Sequence, residues 1–369
     1  MNQLFRWDQM GLFLLALAAG ILPFAVPEVC AAALREGLTL CSGPLLLSLF
    51  PFLVVSRLLI QCPESDLLAL PFRLAAWGIG IRTPCAARVL CIGFLGGFAP
   101  AASAAAQAVR IGQLTAEEAD ALLPACICSG PSFVVLTVGQ SLLGSAELGV
   151  LLFASQITAN YLTAALLNRF AGVRSVKQRP AAPASPAPPR LDEILADAAI
   201  TYCKLCGFIL FFRLLAAGAG ALLPAGAGTL CAILLEVCSG CDLASRTGRW
   251  GSLLCCAALS VQGLSVLLQV RTICPPEMTL RPLYRARMLH LPLSLALFYL
   301  LLPGGEADVF STLPARVLLM RRVPPDCALL VFAVCCMAAC TLRSGIRQVE
   351  QKQMARNAGG CCINSKTLL

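Results

Sequence analysis

The chain has 369 residues, of which 58% are hydrophobic and 13% are charged, and its formal net charge is +9. A soluble domain carries about 25% charged residues, so this composition excludes an ordinary soluble protein and indicates an integral membrane protein. The positive charge does not indicate nucleic-acid binding, because many basic residues stand singly at the ends of apolar segments, where they act as determinants of membrane topology. We therefore expect a lipid bilayer around the protein and no nucleic-acid partner.

Charge-free apolar windows run through most of the chain. Those that reach or approach the roughly 20 residues needed to cross a bilayer are residues 9–27, 37–56, 89–109, 121–146, 148–168, 214–235 and 250–270, and shorter ones are 288–305 and 327–342. They predict about eight to ten membrane segments, some of them half-spans. The first apolar segment, Met10 to Val26, has no clear cleavage site and is expected to remain as a span. The expected fold is an all-α, polytopic membrane helix bundle.

The region between this first span and residue 90 predicts three elements. These are a short loop at Pro27–Glu36, a span at Leu38–Ile60, and a further apolar segment at Leu67–Gly80 that is interrupted by Arg73. The last segment is too short for a full crossing, so its length indicates a half-span or an interfacial helix.

The stretch from Cys91 to Gly149 contains two apolar segments that are each broken in the middle. The first breaks at Gly96–Pro100 and the second at Cys128–Ser132. Between them, Thr115 followed three residues later by Glu118 has the form of a capping box at a helix start. Irregular backbone at membrane depth must be buried in protein or line a wet cavity, because unpaired amide groups are costly there. This stretch is therefore the first candidate site.

Residues 171–190 differ from the rest, because proline, alanine and serine dominate them without apolar periodicity. They predict an exposed linker that separates an N-terminal membrane half, residues 1–170, from a C-terminal half, residues 191–342, with a basic tail at 343–369. Basic residues lie in or beside the linker and in the tail. The positive-inside rule then predicts that both are cytoplasmic, with an even number of crossings between them.

The second half predicts an interfacial amphipathic helix, a span, a broken segment and further spans. The amphipathic helix is Leu191–Ala199, the following span is Ile200–Leu223, and the broken or re-entrant segment is Ala227–Leu243. Trp250–Val270 is expected to be one span that carries several polar residues, followed by a basic loop at 271–287.

The two halves share an interrupted pattern. Ser129-Gly130 and Ser239-Gly240 each lie in a broken apolar segment, and polar amides follow in each half. Paired, glycine-interrupted segments in corresponding positions of two halves indicate a transporter built from an inverted repeat, with its binding site near the membrane midplane. We therefore expect two gate-like halves with broken or re-entrant helices.

Glu236 is the strongest single candidate for a functional residue in the second half, because an acid inside an apolar run is costly and usually functional. It could take up a proton, pair with Lys204 or Arg213, or reach the membrane interface from the end of its segment. Gln262 and Gln269 are seven residues apart and are expected on one helix face. They would provide either a polar lining or a hydrogen bond between helices.

The chain contains 21 cysteines but a single histidine, His290. Most of the cysteines lie inside apolar runs, where a free thiol behaves as a small, soft hydrophobic group. Few acids stand near the cysteine pairs, so we expect no metal site, no cofactor and no enzymatic activity, with a cysteine-based enzyme or metal handler as the alternative. No phosphate-binding loop of the P-loop type is present in the sequence.

The residues 97–139, GFAPAASAAAQAVRIGQLTAEEADALLPACICSGPSFVVLTVG, resemble the gate, or nucleoside-recognition, domain of the sporulation integral membrane protein family of endospore-forming bacteria. Further similar stretches are 48–52, 236–240 and 261–266, so the resemblance spans roughly residues 37–300. It implies a transporter in the mother-cell-derived plasma membrane around the forespore, moving dipicolinic acid during sporulation. Gate domains also occur in nucleoside and ferrous-iron transporters, so a gate domain alone does not fix the substrate.

This sequence departs from the family pattern at two places. The usual Gly-aromatic-Pro-x-Gly-Ala is Gly97-Phe98-Ala99-Pro100-Ala101-Ala102 here, and the usual asparagine pair before Ser-Gly-Pro is Ile127-Cys128. The second change removes two amides that could donate hydrogen bonds to a carboxylate. These positions are where a change of substrate would be encoded.

A small dicarboxylate needs hydrogen-bond donors in a low-dielectric site, and the amino end of a half-helix presents backbone N–H groups with a favourable dipole. We expect such ends at the two breaks of the first half, with packing between helices as the alternative role for the serines. The candidate substrate-binding residues are Gly97, Phe98, Pro100, Ser103, Gln107, Ser129, Gly130, Ser132, Glu236, Ser239, Gly240, Gln262, Ser265 and Gln269. The alternatives are a nucleoside-type or other small-solute transporter, or a membrane scaffold for spore-envelope assembly; homo-oligomerisation is left open.

Overall fold

A computed structural model describes residues 2–171 and 191–302 of the chain, and within these ranges all regular structure is helical. The predicted linker beyond residue 171, the predicted span at 327–342 and the basic tail lie outside the described residues. The all-α fold class is confirmed for the part of the chain that the structure describes.

The helices are numbered in chain order. In the first half they are α1 (Asn2–Ala25), α2 (Pro27–Ser42), α3 (Pro44–Gln61), α4 (Leu70–Gly78), α5 (Pro84–Gly96), α6 (Phe98–Arg110), α7 (Ala116–Cys126), a π-helix, π1 (Ser132–Leu142), and α8 (Ala146–Ala171). In the second half they are α9 (Leu191–Leu222), α10 (Ala225–Leu235), α11 (Val237–Ser245), α12 (Gly251–Val261), α13 (Gly263–Ile273) and α14 (Arg281–Leu301). Short 3₁₀ turns lie at Pro63–Asp66 and Gly248–Trp250.

Four helical stretches among the described residues are long and apolar enough to cross a membrane. They are Pro27–Gln61, Ala146–Ala171, Leu191–Leu222 and Gly248–Ile273. Shorter apolar helices, including α5, α10 and π1, lie between them. These stretches agree with the prediction of an integral membrane protein with transmembrane helices.

Two boundaries that the sequence predicts are wrong. The expected loop at Pro27–Glu36 is helical, because proline at the first position of a helix loses no hydrogen bond and its fixed φ suits the helix. The expected interfacial helix at Leu191–Ala199 continues without interruption into α9, which is 32 residues long. The acids at its start suit the positive end of the helix dipole. They therefore indicate where α9 begins, and they do not separate an interfacial helix from a span at residue 199.

Two pairs of short helices form hairpins. Helix α5 turns back into α6 at Gly97, and a Cβ placed on Gly93 would lie 3.2 Å from the Cβ of Ala101, which is equally far beyond the turn. Helix α10 turns back into α11 at Glu236, and a Cβ placed on Gly240 would lie 2.8 Å from the Cα of Ile233. Glycines at 93 and 240 therefore allow the two arms of each hairpin to pack closely.

Two further pairs are halves of broken spans. Helix α7 ends at Cys126 and π1 begins at Ser132, with irregular backbone between them. Helices α12 and α13 are separated at Gln262 and Gly263, which both have left-handed backbone, with φ of 64° and 68°. Trp250–Val270 lies within a stretch that is long and apolar enough to cross a membrane, as predicted, but its helix is interrupted at Gln262. Because the break separates them, Gln262 and Gln269 do not share one face of a continuous helix.

The described elements follow the same order twice. A long helical stretch is followed by a hairpin, then by a broken span, then by another long helix. These elements are α2 with α3, α5/α6, α7/π1 and α8 in the first half, and α9, α10/α11, α12/α13 and α14 in the second. The correspondence therefore matches Gly97 with Glu236, whereas the sequence pattern matched Ser129-Gly130 with Ser239-Gly240. One apolar core joins the two halves, and α8 packs against α14.

Buried acids of α7 fix the elements around the broken spans. The capping box is confirmed: the Thr115 hydroxyl accepts from the Glu118 backbone N–H at 3.0 Å, and the Glu118 carboxylate accepts from the Thr115 N–H at 3.0 Å. Asp120 accepts hydrogen bonds from the N–H and hydroxyl of Thr279, at 2.8 and 2.7 Å. Because Thr279 lies just before α14, these bonds tie the first half to the start of the last described helix.

Candidate functional site

The breaks of the four interrupted elements contact one another in pairs at the centre of the bundle. A Cβ on Gly97 would lie 2.7 Å from the backbone nitrogen of Gly130, so the tip of the first hairpin touches the break of the first broken span. In the second half, a Cβ on Gly263 would lie 2.9 Å from the backbone nitrogen of Glu236. Gly97 and Gly263 both have positive φ, which favours glycine, and neither position has room for a side chain.

A hydrogen bond joins the two halves at these breaks. The side-chain amide of Gln262 donates to the hydroxyl of Ser129 at 3.3 Å and to the carbonyl of Leu259 at 2.6 Å. Both Gln262 and Ser129 are buried. The breaks of the two broken spans are therefore linked through side chains as well as through packing.

Glu236 caps the second arm of its hairpin. It is 2% exposed, and its carboxylate accepts hydrogen bonds from the backbone N–H groups of Cys238 and Ser239, at 2.8 and 2.7 Å, and from the Ser239 hydroxyl at 2.8 Å. The reading of Glu236 as an acid that reaches the membrane interface is wrong. Glu236 also does not form the predicted ion pair with Arg213, because Arg213 forms an ion pair with Glu36 at 2.6 Å. The carboxylate therefore occupies the amino end of α11.

Arg287 of α14 is a buried part of the site that the sequence did not single out. Its guanidinium donates to the carbonyl of Ile127, at the break of the first broken span, and to the carbonyl of Ser260 at 3.3 Å, next to the break of the second. The sequence pattern placed Arg287 in a loop, whereas it lies inside α14. The signal was the polar stripe of Arg287, His290 and Ser294, whose spacing of three and four residues is that of one helix face.

A small central cavity of about 60 Å³ lies against the breaks. Its walls are mainly apolar, and the predicted site residues that border it are Phe98, Ser129, Gly130, Ser132, Glu236 and Gln269. The structure therefore brings together residues of both halves that the sequence predicted separately.

A second cavity, of about 160 Å³, is larger and more polar, and we call it the basic cavity. The charged residues that border it are Arg57, Arg110, Asp197 and Lys204, and the polar ones are Ser103, Thr201, Gln269 and Thr272. Ser103 and Gln269 are predicted site residues, whereas no charged residue of this cavity was predicted to bind substrate.

Gln269 is the residue that borders both cavities. It is 1% exposed, its amide nitrogen donates to the Ser265 hydroxyl at 3.0 Å, and its amide oxygen has no hydrogen-bond partner among the described residues. A buried polar atom without a partner is costly, and this oxygen can accept a hydrogen bond from a donor that enters one of the cavities, such as a water.

The remaining predicted residues have structural placements. Gly240 lies against the opposite arm of its hairpin, Ser239 donates to Glu236, and Ser265 accepts from Gln269. Pro100 is in the first turn of α6, where proline is tolerated. Gln107, one turn before the end of α6, borders neither of the two cavities.

The described cysteines are free thiols, and most are buried. In residues 2–171 and 191–302, no three His, Cys, Asp or Glu side chains are grouped so that they could hold a metal ion. Cys274, in the loop between α13 and α14, is typical: burial raises the pKa of its thiol to about 12, so it stays protonated near neutral pH.

The chain matches no family model, and comparisons with curated proteins and with solved structures also gave no match.

Proposed function

We propose that this chain is a membrane transporter for a small organic dicarboxylate, and that its substrate is dipicolinic acid, carried across the mother-cell-derived membrane around the forespore. The observation that supports transport most directly is the contact between four helix breaks, two hairpin tips and two broken spans, with the central cavity beside them. Broken helices that meet near the membrane midplane are the arrangement in which secondary transporters hold their substrates.

The direction of the elements supports an inverted repeat. The end of α3, the end of α6 and the start of α9 all border the basic cavity, so they lie on one side of the bundle. The first hairpin, which ends with α6, therefore opens toward that side. Helix α9 ends on the opposite side, where α10 begins three residues later, so the second hairpin opens there. Two hairpins that enter from opposite sides are what an inverted repeat requires.

The contacts at the breaks support movement between two states. The hairpin tips touch the broken spans through backbone at Gly97 and Gly263, where no side chains interlock. Side-chain hydrogen bonds that hold the breaks together include the Gln262–Ser129 bond and the two carbonyl contacts of Arg287. Exchangeable hydrogen bonds of this kind allow an element to have two discrete arrangements, as alternating access needs.

The choice of a dicarboxylate substrate comes from the family resemblance, and the departure from the family pattern at Ile127 has a local explanation. Ile127 lacks the side-chain amide that is usual there, but its carbonyl accepts hydrogen bonds from Asn160, at 3.3 Å, and from Arg287. Polar groups from α8 and α14 thus reach the position where the sequence itself has lost them. The nucleoside-type transporter stays the alternative for the substrate.

The test in cells is the dipicolinate content of spores. We expect an endospore-forming cell that lacks this protein to synthesise dipicolinate normally in the mother cell and to form spores depleted of it, with restoration by the wild-type chain. Restoration by a Ser129→Ala variant at equal protein level should be weaker. Normal spore dipicolinate in the absence of the protein would contradict the proposal, and full restoration by the variant would favour the scaffold alternative.

A further inference from the structure

We infer that the basic cavity is the site where a dicarboxylate first binds, with Arg57 as its carboxylate-binding residue and Asp197 as an internal carboxylate that the substrate displaces. This inference rests on the proposed function, because it names how a dianion would be recognised. Neither Arg57 nor Lys204 belongs to the glycine-interrupted segments from which the sequence predicted the site, and Arg110, at the end of α6, was not among the predicted binding residues.

Arg57 has an unsatisfied N–H group that can bind a carboxylate. Its side chain is 11% exposed and forms an ion pair with Asp197 of α9, and its second terminal nitrogen lies 3.4 Å from the Thr201 hydroxyl. Its Nε is buried and has no hydrogen-bond partner among the described residues. A guanidinium binds a carboxylate through two parallel N–H groups, and one of those groups is unsatisfied here.

Asp197 differs from Arg57 in exposure, and this difference indicates which partner leaves. The Asp197 side chain is 59% exposed, whereas the arginine is held in the bundle. An exposed carboxylate regains water when it swings away, so an ion pair of this kind contributes little free energy. A substrate carboxylate can therefore replace Asp197 at Arg57 without leaving a buried charge unpaired.

The charge of the basic cavity suits a dianion. Three basic side chains and one acidic side chain border it, which leaves two positive charges uncompensated. Lys204 and Arg110 are exposed, so they can reach the second carboxylate from the mouth of the cavity. A cavity needs roughly 10–15 Å³ to hold one water, so the 160 Å³ here holds several waters or a small organic molecule.

The cavity also leads toward the breaks. Gln269 borders it and the central cavity, and the unpartnered oxygen of this amide is buried between them. Because α9 begins at residue 191, the basic cavity lies on the side of the predicted linker, which the positive-inside rule assigns to the cytoplasm. For a forespore membrane this is the mother-cell side, from which dipicolinate would arrive.

The test is dipicolinate binding to the full chain in lipid nanodiscs, measured by calorimetry and without any transport step. We expect Arg57→Met and Lys204→Met each to weaken the Kd at least about tenfold, and Asp197→Asn to tighten it a few-fold. Picolinate, a monoanion of the same ring, should bind more weakly than dipicolinate. The matched control is Arg82→Met, which removes the same charge from an exposed residue before the first hairpin, and it should leave the Kd unchanged.

Each result decides the inference. Unchanged Kd in the Arg57 and Lys204 variants, or weaker binding in Asp197→Asn, would overturn it while leaving a transport function intact. Absence of dipicolinate binding by the wild-type chain would overturn both this inference and the proposal that the substrate is a dicarboxylate. Unfolding temperatures of all variants separate lost binding from lost folding, and Arg57→Lys provides a second variant that keeps the charge but not the paired N–H groups.

Discussion

The side chain of Gln262 donates a hydrogen bond to Ser129 over 3.3 Å, and this bond connects the break of one broken span with the break of the other. The two residues are 133 positions apart in the sequence and belong to different halves. If the halves move relative to each other during transport, this is a contact that must form in one state and break in another.

Replacing Ser129 by alanine should therefore change transport more than stability. One neutral hydrogen bond between membrane helices contributes about 1 kcal/mol or less. We expect Ser129→Ala to lower the unfolding temperature slightly and to reduce the initial rate of dipicolinate uptake into liposomes several-fold. The control is Ser56→Ala, because Ser56 is equally buried and bonds only within its own helix, to the Leu53 carbonyl at 2.9 Å. Equal effects of the two variants on uptake would contradict a role for the link between the halves.

Replacing Glu236 by glutamine should loosen the second hairpin. The carboxylate accepts three hydrogen bonds with both oxygens, whereas an amide offers one oxygen and turns an NH₂ group toward backbone donors. The expected loss is about 1–2 kcal/mol of stability, seen as a lower unfolding temperature in detergent, together with reduced uptake. Glu147→Gln, at an exposed acid in the first turn of α8, should change neither property. An unchanged unfolding temperature for Glu236→Gln would show that the cap is dispensable.

Replacing Gly97 by alanine should prevent the first hairpin from packing on the first broken span. The added Cβ would lie 2.7 Å from the Gly130 nitrogen, and the residue would also have to keep φ at 81°. Gly112→Ala separates these two costs, because Gly112 has φ at 72° but no neighbour within 4 Å of an added Cβ. We expect a loss of about 1–2 kcal/mol for Gly112→Ala from backbone strain alone, and a much larger loss or failure to fold for Gly97→Ala. Similar unfolding temperatures for the two variants would rule out close contact of the breaks.

Replacing Arg287 by methionine should leave two buried carbonyls, those of Ile127 and Ser260, without their cationic donor. The Ile127 carbonyl keeps its hydrogen bond from Asn160, at 3.3 Å, whereas the Ser260 carbonyl loses the Arg287 donor. A buried carbonyl that loses its donor costs about 1–3 kcal/mol, so we expect a fall in unfolding temperature and loss of dipicolinate uptake. Arg285→Met, at an exposed arginine of the same helix, should be nearly neutral. Because a lysine can reach one carbonyl but not span both, Arg287→Lys should lie between the two. Wild-type stability of Arg287→Met would show that the guanidinium does not hold the breaks together.

Much of the fold was accessible from the sequence where hydrophobicity and glycine or proline placement determine it. The apolar windows indicated a helical membrane protein, and the Gly97 and Ser129-Gly130 interruptions coincide with real breaks. The capping box at Thr115 was also predicted. These features are local, because they depend on residues close together in the chain.

The features that could not be predicted from the sequence depend on contacts between residues that are far apart in the chain. The break at Gln262 was missed because a non-glycine residue in left-handed backbone has no sequence signature, although the following Gly263 is typical of a helix end. The basic cavity was missed because Arg57, Arg110 and Lys204 come from three elements, and each alone resembles a topology determinant. Arg287 was assigned to a loop because charge was read as a boundary, whereas its donors satisfy carbonyls that the breaks leave free.

Dicarboxylate transport is tested most directly by the uptake of labelled dipicolinate into liposomes that contain the purified full chain. It predicts saturable uptake that exceeds uptake by protein-free liposomes, is competed by unlabelled dipicolinate but not by uridine, and is reduced by Ser129→Ala and Glu236→Gln. Uptake no greater than in protein-free liposomes, by a preparation whose unfolding temperature shows that it is folded, would contradict dicarboxylate transport. Uptake of labelled uridine instead would assign the chain to the nucleoside-type alternative.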